Sequence, residues 1–316
     1  DIGTASRELR MALPRIGFVG LGIMGAPMAG HLLAAGHPLA AYDLSEDAAR
    51  RFAEAHPDAS IAPTLPQLAA QADIVITMLP NGRAVECVAL GEQGLAGGLA
   101  PGALLLDTSS SEPWLTRRTA EALAARGIAM VDAPVSGAQI GAQTAQLVFM
   151  VGGAAAPVER AMPILRRMGR AVFHLGPLGA GHAMKCINNL ITAMNFLAAA
   201  EGLVIGKRYG LDPAVMNDVL NESTGMSWIT QNHIGQRILS RRFDDPFKLD
   251  LMVKDIGIAM ALAREAALPL PVSALGEELW NAALREAGEG RSVSELIRWV
   301  EQQTRTEIAS DGKPSA

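Results

Sequence analysis

Residues Gly179 to Leu190 read GAGHAMKCINNL and open a run that is apolar almost to Glu201. A lysine and two asparagines stand near the start of what reads as a buried helix. Taking an ammonium out of water is costly unless it finds a partner or gives up its proton. A lysine whose pKa is lowered by burial can take a proton and return it, which is what oxidation of an alcohol and its reversal require. Asn189 follows Lys185 at i, i+4, so the two share a helix face one turn apart. The competing reading of Lys185 is a side chain that extends to water along its stem.

A second group of residues suits phosphate. Gly20-Leu21-Gly22-Ile23-Met24-Gly25 stands in GFVGLGIMG, directly after an apolar strand and at the opening of a helical pattern. There the first glycine allows a tight turn and the second lets the backbone approach a pyrophosphate. The third lets helix and strand pack closely. The helix N-terminus offers its free N–H groups to the negative charge. Asp43 closes the next strand, where a carboxylate accepts from the adenosine ribose and repels a 2′-phosphate, so NAD is preferred over NADP. Arg50 and Arg51 could soften that preference, although solvated helix surface is their commoner role. A nicotinamide held nearby would push the Lys185 proton off, in the same direction as burial.

Further candidates lie at the ends of later strands. Leu79, Pro80 and Ser110 could bracket the nicotinamide half, or serve only as turn residues. Ser136 with the N–H groups of Gly137 and Ala138 could form an anion nest for a carboxylate, or an ordinary turn. Lys254, in PFKLDLMVKD, could reach a substrate carboxylate or the cofactor, or lie on the surface. Trp228 reads equally as a pocket wall or a core residue.

The elements that must position these residues fall into two halves. Strand patterns at RIGFVG, HPLAAYD, ADIVITMLP, ALLLDTSS and IAMVDAP alternate with helical ones, among them SEDAARRFAEA with Ser45 as N-cap. Strands apolar throughout imply a parallel sheet covered on both faces. The fold class is α/β: an N-terminal Rossmann-type doubly wound sheet, then an all-α C-terminal domain, joined by a long interdomain helix. Residues 1–10 read as a tag or extension, 11–178 as the NAD-binding domain and 179–303 as a helical substrate and dimerisation domain. The tail 304–316 is polar and expected to fray. Helices are expected at 181–208, 212–222, 226–240, 248–267, 271–287 and 292–303, with starts at Asp212-Pro213 and Ser292.

Bulk properties narrow the function. The chain has 316 residues, 49% hydrophobic, with a net charge of -5, so no basic field invites nucleic acid. Two cysteines, Cys87 and Cys186, form no disulfide framework and no zinc spacing, so no metal is expected and the cytoplasm is the default. The segment 186–206 is long enough to span a bilayer, but Asn188, Asn189, Asn195 and Glu201 would be costly there, so no membrane role is expected.

In this order, GFVGLGIMG, DAPVSGA, GAGHAMKCINN and FKLDLMVKD resemble the cofactor, substrate, catalytic and late cofactor motifs of the β-hydroxyacid dehydrogenase family. The resemblance runs from about Arg15 to Val300. It implies that Lys185 is the catalytic residue and that Ser136, Gly137 and Asn189 contact substrate. Lys254 would close over the cofactor and substrate, with Phe247 of the same motif at the cofactor. Two departures stand out: Ala138 where the family has glycine, which narrows the nest, and Ala145-Gln146-Leu147 for Gly-Thr-Leu. The function expected is NAD-dependent interconversion of a small 3-hydroxy carboxylate and its semialdehyde, by a dimer or tetramer. An imine reductase, which usually has Asp or Tyr in place of Lys185, and a non-catalytic cofactor-binding protein are the alternatives.

Overall fold

A computed structural model describes residues 13–309. The extension read at residues 1–10 lies outside them. The chain divides into two compact units, one ending at Lys185 and one beginning at Cys186. The opening turns of the long helix therefore pack with the sheet.

The first unit alternates strand and helix: β1 (Ile16–Val19), α1 (Gly25–Ala34), β2 (Leu39–Tyr42), α2 (Glu46–Ala55), β3 (Ser60–Ile61), α3 (Leu65–Ala70), β4 (Ile74–Thr77), α4 (Gly82–Leu90), β5 (Leu104–Asp107), α5 (Pro113–Ala124) and β6 (Ala129–Asp132). There follow β7 (Val135–Ser136), α6 (Ala138–Gln143), β8 (Leu147–Gly152), α7 (Ala155–Met168) and β9 (Gly169–Gly176). Strands β1, β4 and β5 are buried at every residue. Phe18, Ile76 and Leu106 join one apolar cluster, while their neighbours Val19, Val75 and Leu105 join another. That alternation places one core on each face of the sheet.

The strand order is β3-β2-β1-β4-β5-β6-β8-β7, with β9 beside β8. Ile16 pairs in parallel with both Leu39 of β2 and Ile74 of β4, so the chain reverses its direction of travel across the sheet between β1 and β4. Ligands of such sheets bind outside the carboxyl ends of the strands at this reversal.

The five strands read from the sequence, β1, β2, β4, β5 and β6, pair in parallel as expected. Beyond them the sheet is mixed: Asp132 of β6 and Val135 of β7 pair antiparallel with Gly152 and Phe149 of β8, while β8 and β9 run parallel. β6 and β7 run in one direction, and the chain turns back into β8 through the short α6. Of the sequence expectations, the frayed tail needs correcting here. The tail from Thr304 is not frayed at its start: Ile308 is fully buried and its N–H donates to Glu301 Oε1 at 2.6 Å.

The second unit contains the remainder of α8 (Ala180–Tyr209), then α9 (Pro213–Asn221), a π-helix (Thr230–Leu239), α10 (Leu249–Glu265), α11 (Pro271–Ala287) and α12 (Glu295–Thr304). Asp212 caps α9 by accepting from Ala214 N at 2.8 Å, as the Asp-Pro pair predicts. The expected α-helix over 226–240 is largely a π-helix. Ser292 does not start α12; it accepts from the N–H of Ser294 and of Glu295, shaping the turn before a start at Glu295.

α8 is long and apolar enough to cross a membrane by length and composition, but half of its most apolar window is buried in the protein. Ala193, Phe196, Ala200 and Leu203 pack into the helical core with Ile234, Met252 and Trp280. Trp280 is fully buried and donates to the Ala193 carbonyl at 3.2 Å. Trp228, at 57% exposure, is not a core residue.

Candidate active site

The glycine loop has the geometry its spacing predicts. Gly20 adopts φ +98°, and a Cβ there would overlap the Met78 carbonyl. A Cβ on Gly25 would overlap the Gly20 carbonyl and meet the Phe18 ring at 3.1 Å. Both glycines are fixed by close packing of strand and helix. Gly22 differs: a Cβ there would meet nothing within 4 Å. The middle glycine therefore leaves room beside the backbone at the start of α1, which fits a pyrophosphate. Ile23 is exposed and Met24 half-buried at the helix entrance.

Asp43 stands against this loop. Its carboxylate accepts from Leu21 N at 2.6 Å and from Ser45 N at 2.8 Å. Ser45 in turn caps α2, as expected. Arg50 and Arg51 both pair with Asp47 on the exposed face of α2, where Arg50 also approaches Glu54 at 3.6 Å.

At the carboxyl ends of β4, β5 and β6 lies a buried polar cluster. Asp107 accepts from Thr77 Oγ1 at 2.9 Å, Ser109 N at 3.0 Å and Ser111 Oγ at 3.0 Å. The Ser109 hydroxyl accepts from Leu79 N at 2.9 Å, tying the two loops together. Pro80 is exposed and Ser110 half-buried beside them. Asp132, wholly buried, accepts from Gly179 N at 2.7 Å and His182 N at 2.8 Å. A carboxylate so placed satisfies open N–H groups of α8 and complements its dipole. A Cβ on Gly181 would overlap the Met150 carbonyl and crowd Asp132, so only glycine allows this approach.

His182 completes the cluster. Its ring is buried, with Nδ1 at 2.8 Å from Thr116 Oγ1 and Nε2 at 3.0 Å from the Ser109 carbonyl. Asp107 and Asp132 oxygens lie 3.5 and 3.7 Å from the ring nitrogens. Lys185 follows one turn later and is half-buried. The sequence singled out Lys185 as a candidate but did not point to Asp107, Asp132 and His182 as a group. Their signal was a carboxylate closing each of two apolar strands.

In the second unit, Asn189 is 5% exposed and donates to Asp255 Oδ2 at 2.5 Å. The other oxygen of Asp255 pairs with Lys254 Nζ at 3.0 Å. Asp255, itself 1% exposed, thus joins two residues singled out from the sequence while having escaped that reading. Cys186 is buried, and its thiol is pushed up to about 12, first by burial and then by Asp255.

Ser136 is half-buried on β7, opposite Val148. Gly137 and Ala138 are exposed and both take positive φ, +129° and +53°. Phe247 is half-buried against the helical core, its N–H donated to Asp245 Oδ1 at 2.8 Å.

Comparisons with known proteins give the family. Residues 15–176 match the family described as the NAD binding domain of 6-phosphogluconate dehydrogenase. Residues 179–300 match the one described as NAD-binding of NADP-dependent 3-hydroxyisobutyrate dehydrogenase. A 2-(hydroxymethyl)glutarate dehydrogenase of Eubacterium barkeri is 37% identical over 93% of this chain and 97% of its own. The chain belongs to the β-hydroxyacid dehydrogenase family. A 3-hydroxyisobutyrate dehydrogenase of Pseudomonas aeruginosa is 39% identical over 84% of this chain and 91% of its own. An NAD-dependent L-serine dehydrogenase of the same organism is 37% identical over 89% and 96%. The solved structure of Mycobacterium tuberculosis 3-hydroxyisobutyrate dehydrogenase with L-serine superposes with a TM-score of 0.83, at 30% identity, over 91% of this chain and 99% of that one. As a β-hydroxyacid dehydrogenase, the protein is an NAD(P)-dependent oxidoreductase of hydroxy acids.

Proposed function

We propose that the enzyme oxidises a small 3-hydroxy carboxylate to its semialdehyde, with NAD as the preferred cofactor and Lys185 as general acid and base. The observation that carries this reading is the setting of Lys185. It is half-buried one turn beyond a helix start held by Asp132 and His182, in the same compact unit as the glycine loop. The relatives' names supply the substrate class. 3-Hydroxyisobutyrate, L-serine and 2-(hydroxymethyl)glutarate each carry a primary hydroxyl β to a carboxylate. Glycerate belongs to the same class, whereas threonate carries a secondary hydroxyl at that carbon and would give the keto form.

When bound, the nicotinamide supplies the hydride acceptor. In its amine form Lys185 takes the hydroxyl proton as hydride leaves the carbon, and in the reverse direction the ammonium returns it. Asn189, oriented by Asp255, would hold the substrate hydroxyl. Ser136 with the N–H groups of Gly137 and Ala138 would receive the carboxylate. Gly20, Leu21, Gly22, Ile23, Met24 and Gly25 would cradle the pyrophosphate, with Leu79, Pro80 and Ser110 at the nicotinamide half. Phe247 and Lys254 would close on the cofactor and Trp228 would border the substrate. Asp43 supports NAD because a negative oxygen beside the loop repels a 2′-phosphate, and the neighbouring arginines are engaged by Asp47. The cytoplasm, and a dimer or dimer of dimers, complete the proposal. Exposed apolar side chains on α8 and α9, among them Ile205, Tyr209, Val215 and Val219, support the assembly.

The test is a spectrophotometric screen of these acids with NAD and, separately, NADP, on wild type and Lys185→Ala. Turnover should appear on at least one acid, with kcat/KM higher for NAD. The variant should lose about 100-fold or more in kcat, the usual scale for a lost acid–base group, and keep its NAD affinity. Full activity in Lys185→Ala would show that another group moves the proton.

A further inference from the structure

The geometry points to His182 as a positioning residue that sets Lys185 against the loops at the ends of β4 and β5. This inference rests on the proposed role of Lys185 and adds a residue through which that role is maintained. His182 is 1% exposed and carries two polar nitrogens into the buried polar cluster. Both nitrogens are engaged, and on different elements. Nε2 faces the Ser109 carbonyl at 3.0 Å and Asp107 Oδ2 at 3.5 Å, both acceptors, so it carries a hydrogen. Nδ1 faces the hydroxyl of Thr116 on α5 at 2.8 Å. That hydroxyl also lies 3.1 Å from the Glu112 carbonyl.

The links form a continuous path. Leu79 N donates to Ser109 Oγ, the Ser109 carbonyl accepts from the ring, and the His182 backbone N–H donates to Asp132. One turn further along α8 stands Lys185. The loop after β4, the loop after β5, the end of β6 and the start of α8 are thus held by one imidazole and two carboxylates. The imidazole and both carboxylates are buried and hydrogen-bonded, so a shift at one is resisted by the others. Displacement of a reacting group by about 1 Å can cost on the order of 100-fold in rate. A ring that fixes the helix one turn from the proton-transferring amine has that leverage without touching substrate.

The experiment is a double-mutant cycle on the intact enzyme, with kcat, KM and NAD affinity measured for each variant. His182→Gln keeps a donor toward Ser109 but gives up the Thr116 contact. It should lower kcat about 10- to 100-fold, the scale of a misplaced group, leaving KM and NAD affinity near wild type. A general loss of structure would move all three. The double variant His182→Gln/Lys185→Ala should be no slower than Lys185→Ala alone, because a residue acting through the lysine has nothing left to act on. Thr116→Val removes the hydroxyl partner of the ring, and it decides by the same criteria if His182→Gln does not fold. Wild-type kcat in both folded variants overturns the inference, as does a double variant slower than Lys185→Ala by the full His182→Gln factor. Full activity in Lys185→Ala overturns the underlying reading as well. An inactive Lys185→Ala beside a fully active His182→Gln overturns the positioning role alone.

Discussion

Ala138 has φ +53° and Ala145 φ +54°, one at each end of the short helix that follows Ser136. A side chain in this left-handed region costs roughly 1–2 kcal/mol, which glycine avoids. Ala138→Gly should therefore stabilise the protein by about 1 kcal/mol or less, since glycine also raises the entropy of the unfolded chain. The urea midpoint should rise with an unchanged m value. Glycine motifs were legible in the sequence because each glycine is there for a local reason, and Gly20 and Gly25 show those reasons as overlaps with specific carbonyls. Asp132 was not legible as a helix cap. It reaches the N–H groups of Gly179 and His182 across 47 and 50 residues of sequence, and no local pattern encodes such a distance.

Strands β1, β4 and β5 could be read because burial on both faces leaves them uniformly apolar. β9 escaped for the opposite reason: its residues are half-buried or exposed along its length, so it shows no uniform signal. The π-helix escaped because the spacing of apolar residues does not report the hydrogen-bond register. That element carries His233, whose ring lies 3.0 Å from Ser294 Oγ and 3.5 Å from Asp245 Oδ2. The trio resembles a serine nucleophile with its base, but Ser294 is fully buried, so it serves to clasp the π-helix to α12. Burial opposes ionisation of Asp245, yet the His233 ring and the Phe247 N–H outweigh it and hold the carboxyl below its ordinary 3.8. A depressed folded value stabilises the native state above the unfolded pKa, and this contribution is lost as pH falls through the folded one. Asp245→Asn should thus be less stable than wild type at neutral pH. The gap in urea midpoint should hold down to about pH 4 and narrow below it.

Apolar side chains remain exposed at Ile205 (70%) and Tyr209 (86%) on α8, and at Val215 (60%) and Val219 (58%) on α9. Light scattering should give a mass of two or four chains, and Ile205→Glu should shift it toward one by placing a charge in the proposed subunit contact. A mass of one chain for the wild type would contradict the assembly. The division of the molecule was legible as a change from alternating strands to helices. The point where one compact unit gives way to the other, between Lys185 and Cys186, was not, because it falls inside a helix of 30 residues rather than in a linker. That seam restricts how the gene can vary. Each residue inserted or deleted within α8 just beyond Lys185 turns the helical residues that follow it by about 100° about the helix axis. Asn189 and the apolar side chains further along α8 would lose their phase with the lysine on the helix surface. Length changes are therefore expected in the surface loops of the sheet half, while the few turns around the seam keep an unbroken residue count.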